Sequence, residues 1–569
     1  MPSGVMTTTI TPGPLARAYD RACAQLEQIA FADALWQKRV DVWTTDVAVQ
    51  RLIANRLGWV NAIEFIDAHR ARLDACAQAV RRDAFTDVVL LGMGGSSLAP
   101  EVIRQVLGIA GGYPRLQVLD SVDPDSVRAA MARAETSLFL LASKSGSTIE
   151  PNVMAAEARR LVTEAGHANW GSRFVAITDP ETVLHTQATN AHFRDVFVNP
   201  PDIGGRYSAL SFFGMVPAAL IGVDVGALLA AARDMESACR STTVTDNPGL
   251  SLGALMAAGA LEGRDKLTLL LPSRLQSLGL WVEQLVAEST GKHGKGVVPI
   301  AGEPADARFG DDRTVVIVSL GDEHPAAELC DRARASGAPI AALHMEGPLA
   351  LGAEFLRWEV ATATAGLLMA INPFDEPNVQ QAKDATRALL EVFRRDRRLP
   401  MPEPHAEIAN VRLTLSEAAQ AALSGAPATA FLDTARAHDY IALLAFLPLD
   451  DARFEGVLAS LRAASSSKTG CATMFGYDPR YLHSTGQLHK GGADNGVFIV
   501  IAADTDEDLS IPREPFSFGV LELAQALGDF QSLDRSGRRA LFLHAARRDP
   551  AMITTVAVAL TRDTASARS

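Results

Sequence analysis

Four short apolar runs, Val88 to Leu91, Leu116 to Leu119, Leu138 to Leu141 and Phe174 to Thr178, each stop at a small or polar turn and alternate with helical segments. Runs of this length, bounded by turns, read as strands buried on both faces. Strands alternating with helices imply a parallel sheet wrapped on both sides, with ligands beyond the carboxyl ends of the strands. A second series starts at Lys266 to Leu271 and continues through Thr314 to Leu320 and Pro339 to His344. A third, Tyr440 to Phe446, Cys471 to Phe475, Gly496 to Ala502 and Leu541 to His544, follows three prolines at alternate positions (Pro400, Pro402, Pro404) that suggest a boundary. Single cores rarely exceed about 250 to 300 residues, so a chain of 569 residues should hold two or three units. The expected division is a helical lead-in over 1–80, an α/β lobe over 81–245, a second over 246–398, and a C-terminal α/β region over 399–569.

The turn after the third strand, Ser143-Lys144-Ser145-Gly146-Ser147-Thr148, is the densest polar signal in the first lobe. Glu150 and Pro151 follow, then a helical pattern, so this loop is expected at a helix N-terminus, where unpaired N–H groups and the dipole favour an anion. Four hydroxyls and a lysine there suit a phosphomonoester. The same residues would also serve as a helix cap beside a solvated lysine. Gly92-Met93-Gly94-Gly95-Ser96-Ser97, after the first strand, should lie on the same sheet edge. Gly92-x-Gly94 also opens a dinucleotide fingerprint, with Asp120 ending the next strand as a ribose-binding acid would. The third glycine of that fingerprint is replaced by Ser97.

Gly204-Gly205-Arg206-Tyr207-Ser208 places an arginine at a tight corner, for a ligand or for a structural carboxylate. In the second lobe Gln284 and Glu288 share one helix face, and Gly291 is placed to end that helix. Glu288 then lies in the last turn, where the negative dipole end should raise its basicity, as suits a general base. Its alternative is an exposed glutamate near a helix end. Lys383 follows the stiff turn Asn372-Pro373-Phe374-Asp375-Glu376-Pro377, either aimed at the loops or on a solvated face. In the C-terminal region, Leu482-His483-Ser484-Thr485-Gly486-Gln487-Leu488-His489-Lys490 is unusually polar for a connector; His483 and His489 lack metal-ligand spacing, which favours acid/base work or simple titration in water. Ser465 to Gly470 reads as a solvated loop.

Composition narrows the classes. A net charge of −13 argues against a general affinity for nucleic acid or anionic membrane. Five scattered cysteines without a CxxC pair support neither a disulfide framework nor a zinc site, and a reducing cytoplasm fits best. Met1 to Pro14 shows no secretory pattern. The longest apolar region, Ala209 to Val223, contains Pro217 and reads as a buried helix rather than a membrane span.

Together these segments resemble the glucose-6-phosphate isomerase family, from roughly Leu35 to Leu543. The loops at Gly92 to Ser96 and Ser143 to Thr148 look like its phosphate loops, Gly204 to Ser208 like its arginine loop, and Gln284-x-x-x-Glu288-Ser289-x-Gly291-Lys292 like the segment carrying its catalytic glutamate. His483 with Gln487 resembles its ring-opening histidine, and Lys383 its late lysine. Lys383 precedes His483 here, the reverse of the ordinary family order, so the likeness is greatest to the isomerase half of bacterial transaldolase/glucose-6-phosphate isomerase fusions.

The resemblance implies two sugar-isomerase (SIS-type) doubly wound lobes and interconversion of glucose 6-phosphate and fructose 6-phosphate through ring opening and a cis-enediol. Glu288, His483, Lys383 and Arg206 would be catalytic, and Gly95, Ser96, Ser143, Lys144, Ser145, Thr148 and Gln284 would bind substrate. No metal or redox cofactor is expected, no nucleic-acid or membrane partner, and a homodimer is allowed, since the family's histidine commonly serves a neighbouring subunit. The competing classes are a non-catalytic sugar-phosphate-binding protein of the same fold and a nicotinamide-dependent dehydrogenase.

Overall fold

The computed structural model describes residues 8–449 and 451–562. Residues 1–7 of the Thr/Pro/Gly-rich start lie outside it. The first described element is a strand, β1 (Thr8–Thr11), where a purely helical lead-in is expected; helices Ala16–Gln28, Phe31–Trp36, Val47–Ala54 and Ala62–Arg82 follow. Five strands, β2 (Asp87–Leu91), β3 (Arg115–Leu119), β4 (Ser137–Ala142), β5 (Phe174–Thr178) and β6 (Asp195–Val198), form an all-parallel sheet of order β3-β2-β4-β5-β6. Because side chains alternate across a strand, Val88, Leu90, Leu138 and Leu140 enter one core while Val89, Leu91, Phe139 and Leu141 enter another. Both faces are therefore covered, which is why the runs Val88 to Leu91 and Leu138 to Ala142 are continuously apolar rather than alternating.

The second sheet contains β7 (Lys266–Leu270), β8 (Val298–Ala301), β9 (Arg313–Leu320) and β10 (Ile340–Met345), in the order β1-β10-β9-β7-β8. All its pairs are parallel except β1 on β10, where Thr8 to Thr11 run antiparallel to Leu343 to Ile340. The helix Leu351–Leu368, buried from Leu351 to Leu367, packs on the helices Val225–Cys239 and Pro248–Leu261. The third sheet runs β11 (Ala406–Ile408), β12 (Val411–Leu415), β16 (Arg539–Ala545), β15 (Gly496–Ala503), β13 (Tyr440–Phe446), β14 (Ala472–Tyr477); its first two pairings are antiparallel and the rest parallel. The fold is thus α/β, two doubly wound lobes with a further C-terminal α/β region.

One face of the first sheet shares a core with the third sheet: Phe139 and Phe174 belong to the same buried cluster as Tyr440, Phe498 and Phe542. The C-terminal region is therefore a packed wall of the molecule. The expected apolar helix forms at Phe212–Leu220, every residue buried and Pro217 within it. Among the described residues no helix is long and apolar enough to cross a membrane. Ser465 to Thr469, read as a loop, are instead the last turn of the helix Ala452–Thr469, which Gly470 closes at φ +71°. Ser465 and Ser466 are buried, and the Thr469 hydroxyl donates back to the Ser465 carbonyl at 2.8 Å, so this turn belongs to the helix rather than to a solvated loop.

Candidate active site

The helix Gln276–Thr290 ends at Gly291, which sets Glu288 and Ser289 in its final turn beside the corner that carries Arg206. Arg206 is buried and all three of its nitrogens are engaged. Its Nε donates to Ser289 Oγ at 2.8 Å, and Nη2 donates to the carbonyls of Pro373 and Asp375 at 2.8 and 2.9 Å. Nη1 faces two carboxylates, Glu376 Oε2 at 3.0 Å and Glu288 Oε1 at 3.4 Å. The planar fork thus joins the arginine loop, the end of the Gln276–Thr290 helix and the 372–377 turn at one point.

Glu288 has its carboxyl pushed up from the usual range, first by burial, against which Arg206 works, and then by the like charge of Glu376. The raised basicity expected from the helix dipole is present in direction, but loss of water is its leading cause. Lys292, one turn on, is completely buried, donating to Asn372 O at 2.6 Å and pairing with Asp375 at 2.8 Å. Burial and the neighbouring guanidinium bring its pKa down to about 8.

Gln284 links this cluster to the C-terminal region: its Nε2 donates to Glu288 Oε2 at 3.2 Å and to the His483 carbonyl at 2.8 Å. The close approach depends on two glycines. Gly94 has φ +54°, and a Cβ there would meet His483 O at 2.5 Å and Gln284 Nε2 at 2.8 Å; a Cβ on Gly95 would fall 1.9 Å from Gly205 O. A side chain at either position would force the loops apart. Gly95, one of the residues expected to bind substrate, lies against the backbone of the arginine corner.

His483 points into a cleft of about 550 Å³ lined by Ser145, Ser147, Thr148, Glu150 and Lys383 among others. Thr148 caps the helix Ile149–Glu164 by position only, since its side chain makes no capping hydrogen bond and is left to the cleft. Ser143 Oγ accepts from Gly146 N–H at 3.1 Å within its own loop, which leaves its O–H as a donor. Lys144 is committed elsewhere: it pairs with Asp179 and donates to Pro201 O at 2.9 Å, so it braces the loop and is not among the cleft's lining residues.

Glu150, passed over in the sequence as a residue flanking the loop, is the carboxylate behind His483. Its Oε1 lies 2.9 Å from His483 Nε2. A carboxylate only accepts, so the imidazole presents Nε2–H and keeps Nδ1 available. Burial pushes the Glu150 carboxyl up, but His483, by charge and hydrogen bond, outweighs it and holds the group below its ordinary value. A buried acid two residues past a phosphate-type loop is visible in the sequence; its partner, 333 residues away, is not.

Asp120 is not a free ribose-binding acid. Its two oxygens receive Arg480 Nε and Nη2, each at 2.9 Å, and Oδ2 also accepts from Ser97 Oγ at 3.0 Å. The dinucleotide reading loses its key acid to this clamp, which ties the glycine turn to the segment leading into His483. Replacing Asp120 by Ala would delete the buried acceptor shared by Arg480 and Ser97. The expected cost is about 1.5–3 kcal/mol, the scale of a hydrogen bond to a charged group, read as a lowered thermal-unfolding midpoint; an unchanged midpoint would show the clamp to be idle.

A model of the phosphoglucose isomerase family matches residues 70–314, the glycine, serine and arginine loops and the Glu288 helix included. A glucose-6-phosphate isomerase of Rubrobacter xylanophilus is 31% identical over 369 residues, 55% of this chain and 84% of that protein. The chain belongs to the glucose-6-phosphate isomerase family. A glucose-6-phosphate isomerase of Prochlorococcus marinus is 34% identical over 216 residues, 37% of this chain but only 41% of that relative's own length. Among solved structures, that of a glucose-6-phosphate isomerase from Chlamydia trachomatis matches with TM-score 0.55 at 16% identity, covering 68% of this chain and 89% of its own. A hypothetical protein from Thermus thermophilus matches with TM-score 0.54 at 24% identity, over 67% of this chain and 99% of its own. These structural likenesses speak for the family fold.

Proposed function

We propose that this chain interconverts glucose 6-phosphate and fructose 6-phosphate. The observation that carries the reading is the continuous link Arg206–Glu288–Gln284–His483–Glu150, which runs from a buried base to a histidine in the hydroxyl-lined cleft. Ser145, Ser147 and Thr148 would grip the phosphate, a remote anchor whose binding energy orients the sugar. His483, backed by Glu150, and Lys383 would open the ring. Glu288 would then remove the C2 proton and return it to C1, while the enediolate oxygen is stabilised by Arg206. Every atom that moves is a proton, so the reaction balances without a redox partner.

The same reading takes 1–80 as lead-in, 81–245 and 246–398 as the two lobes and 399–569 as the region that donates His483, with one sheet in each of the last three. It also places the protein in the cytoplasm and allows a homodimer.

The test is a coupled assay of the purified chain with glucose 6-phosphate, fructose 6-phosphate and mannose 6-phosphate side by side, with a nicotinamide-binding titration alongside. Turnover of the first two and no nicotinamide binding is the expected result. Silence with all three sugars would overturn the proposal, and binding without turnover would favour a sensor of the same fold.

A further inference from the structure

The proposed mechanism uses Glu150 and His483 but leaves a third member of their cluster unexplained. Gln525 sits on the helix Phe518–Arg535, which packs on the third sheet, and reaches across to the first lobe. Its Nε2 donates to Glu150 Oε1 at 2.7 Å, the same oxygen that takes His483 Nε2 at 2.9 Å. Gln525 is buried, lines the cleft, and its own carbonyl oxygen is buried without a hydrogen-bond partner. An amide held in that orientation costs an unsatisfied acceptor. The orientation is nonetheless forced, because an ionised carboxylate accepts only and would repel the amide oxygen.

We infer that Gln525 is a positioning residue for ring opening: it pins the Glu150 carboxylate, and through it the His483 imidazole, at the working edge of the cleft. The inference rests on the isomerase reading for the step it serves, and on geometry alone for what it holds. With two donors converging on one oxygen, the carboxylate cannot rotate toward the other charges of the cleft, which are Lys383, Arg387 and Arg394 on the helix Val379–Asp396, together with Glu391 on that helix and Glu514 beside it. Lys383 already acts on Glu150 electrostatically. Without the amide, the carboxylate would be drawn toward that lysine and away from the histidine. The C-terminal region then has two duties at the site, to supply His483 and to fix its partner.

Two substitutions separate positioning from packing. Gln525→Leu keeps the bulk and removes the donor; kcat should fall about 10- to 100-fold, the worth of one hydrogen bond to a charged group, with KM nearly unchanged. Gln525→Glu is isosteric but sets a carboxylate against Glu150. Burial and like charge raise the affinity of such a group for a proton, and once protonated it can donate as the amide does. Its activity relative to wild type should therefore recover as pH falls from 8 towards about 6, while that of Gln525→Leu stays flat. Wild-type kcat in Gln525→Leu, or a pH-independent ratio for Gln525→Glu, would overturn the inference. A crystal structure of Gln525→Leu gives a readout free of turnover: Glu150 should have left His483, and an intact pair would also overturn it. If the wild-type chain turned over none of the three sugars the isomerase reading would fall, and the Glu150 geometry would still judge Gln525.

Discussion

Glu288→Gln is expected to fold as the wild type does and to lose isomerisation by about 10³-fold or more, the scale on which a positioned general base contributes. The amide fits the same space, can still meet Gln284 and Arg206, and removes only the ability to take a proton. Structural damage should be small, because Arg206 remains paired with Glu376 at 3.0 Å. Two measurements isolate the base from the rest of the site. Solvent deuterium should no longer enter C2 of the substrate, while interconversion of the sugar's anomers, which needs only the ring-opening groups, should persist. The pH profile supplies a third. Burial, first, and Glu376 raise the Glu288 carboxyl, so the acid limb of wild-type kcat/KM should lie above the ordinary carboxylate range, activity falling as pH drops through it, and this limb should be missing from the residual activity of the variant. Wild-type turnover in Glu288→Gln would end its assignment as the base.

What the sequence disclosed follows the range over which each signal acts. β2 and β4 are legible because burial on both faces leaves a continuous apolar run in each, and every residue of both is buried; the four-residue β6 and β8 are too short to stand out. β1 is not, since four residues of Thr and Ile become a strand only by pairing with Ile340 to Leu343, more than 300 positions away. The end of the Glu288 helix is local chemistry, written in Gly291. The source of that glutamate's basicity is not, because burial under the 372–377 turn and the His483 segment is a product of the whole fold. The hydroxyl loop shows the same division. Its place at a helix N-terminus can be read from Ser143 to Thr148, whereas the diversion of Lys144 to Asp179, 35 residues on, cannot. Asp120 stands out in the sequence only as a strand-end acid, and Glu150 and Gln525 not at all; each gains its meaning from a partner more than 300 positions distant.

Arg206→Ala should lower kcat by about 10²–10³-fold, the scale of one preorganised charge at a developing oxyanion, and raise KM by much less. The argument turns on which of its bonds the reaction needs. Nε and Nη2 are spent on Ser289, Pro373 and Asp375, contacts that hold the helix end to the 372–377 turn whether or not substrate is present. Nη1 is shared between two carboxylates at 3.0 and 3.4 Å, so it is the edge that can turn to a third oxygen when negative charge develops there. Deleting the guanidinium also leaves Glu288 and Glu376 facing each other with Lys292 and the Gln284 hydrogen bond to offset them, and burial then acts on Glu288 with less opposition. The acid limb of the pH profile should therefore move further up in the variant, a shift that a loss of substrate affinity alone would not produce. Arg206→Lys retains the charge but cannot span Ser289, the two carbonyls and both carboxylates at once; it should restore the position of the acid limb more fully than it restores kcat. If KM rose while kcat held, Arg206 would be a binding residue, and the stabilising cation for the enediolate would have to be Lys292.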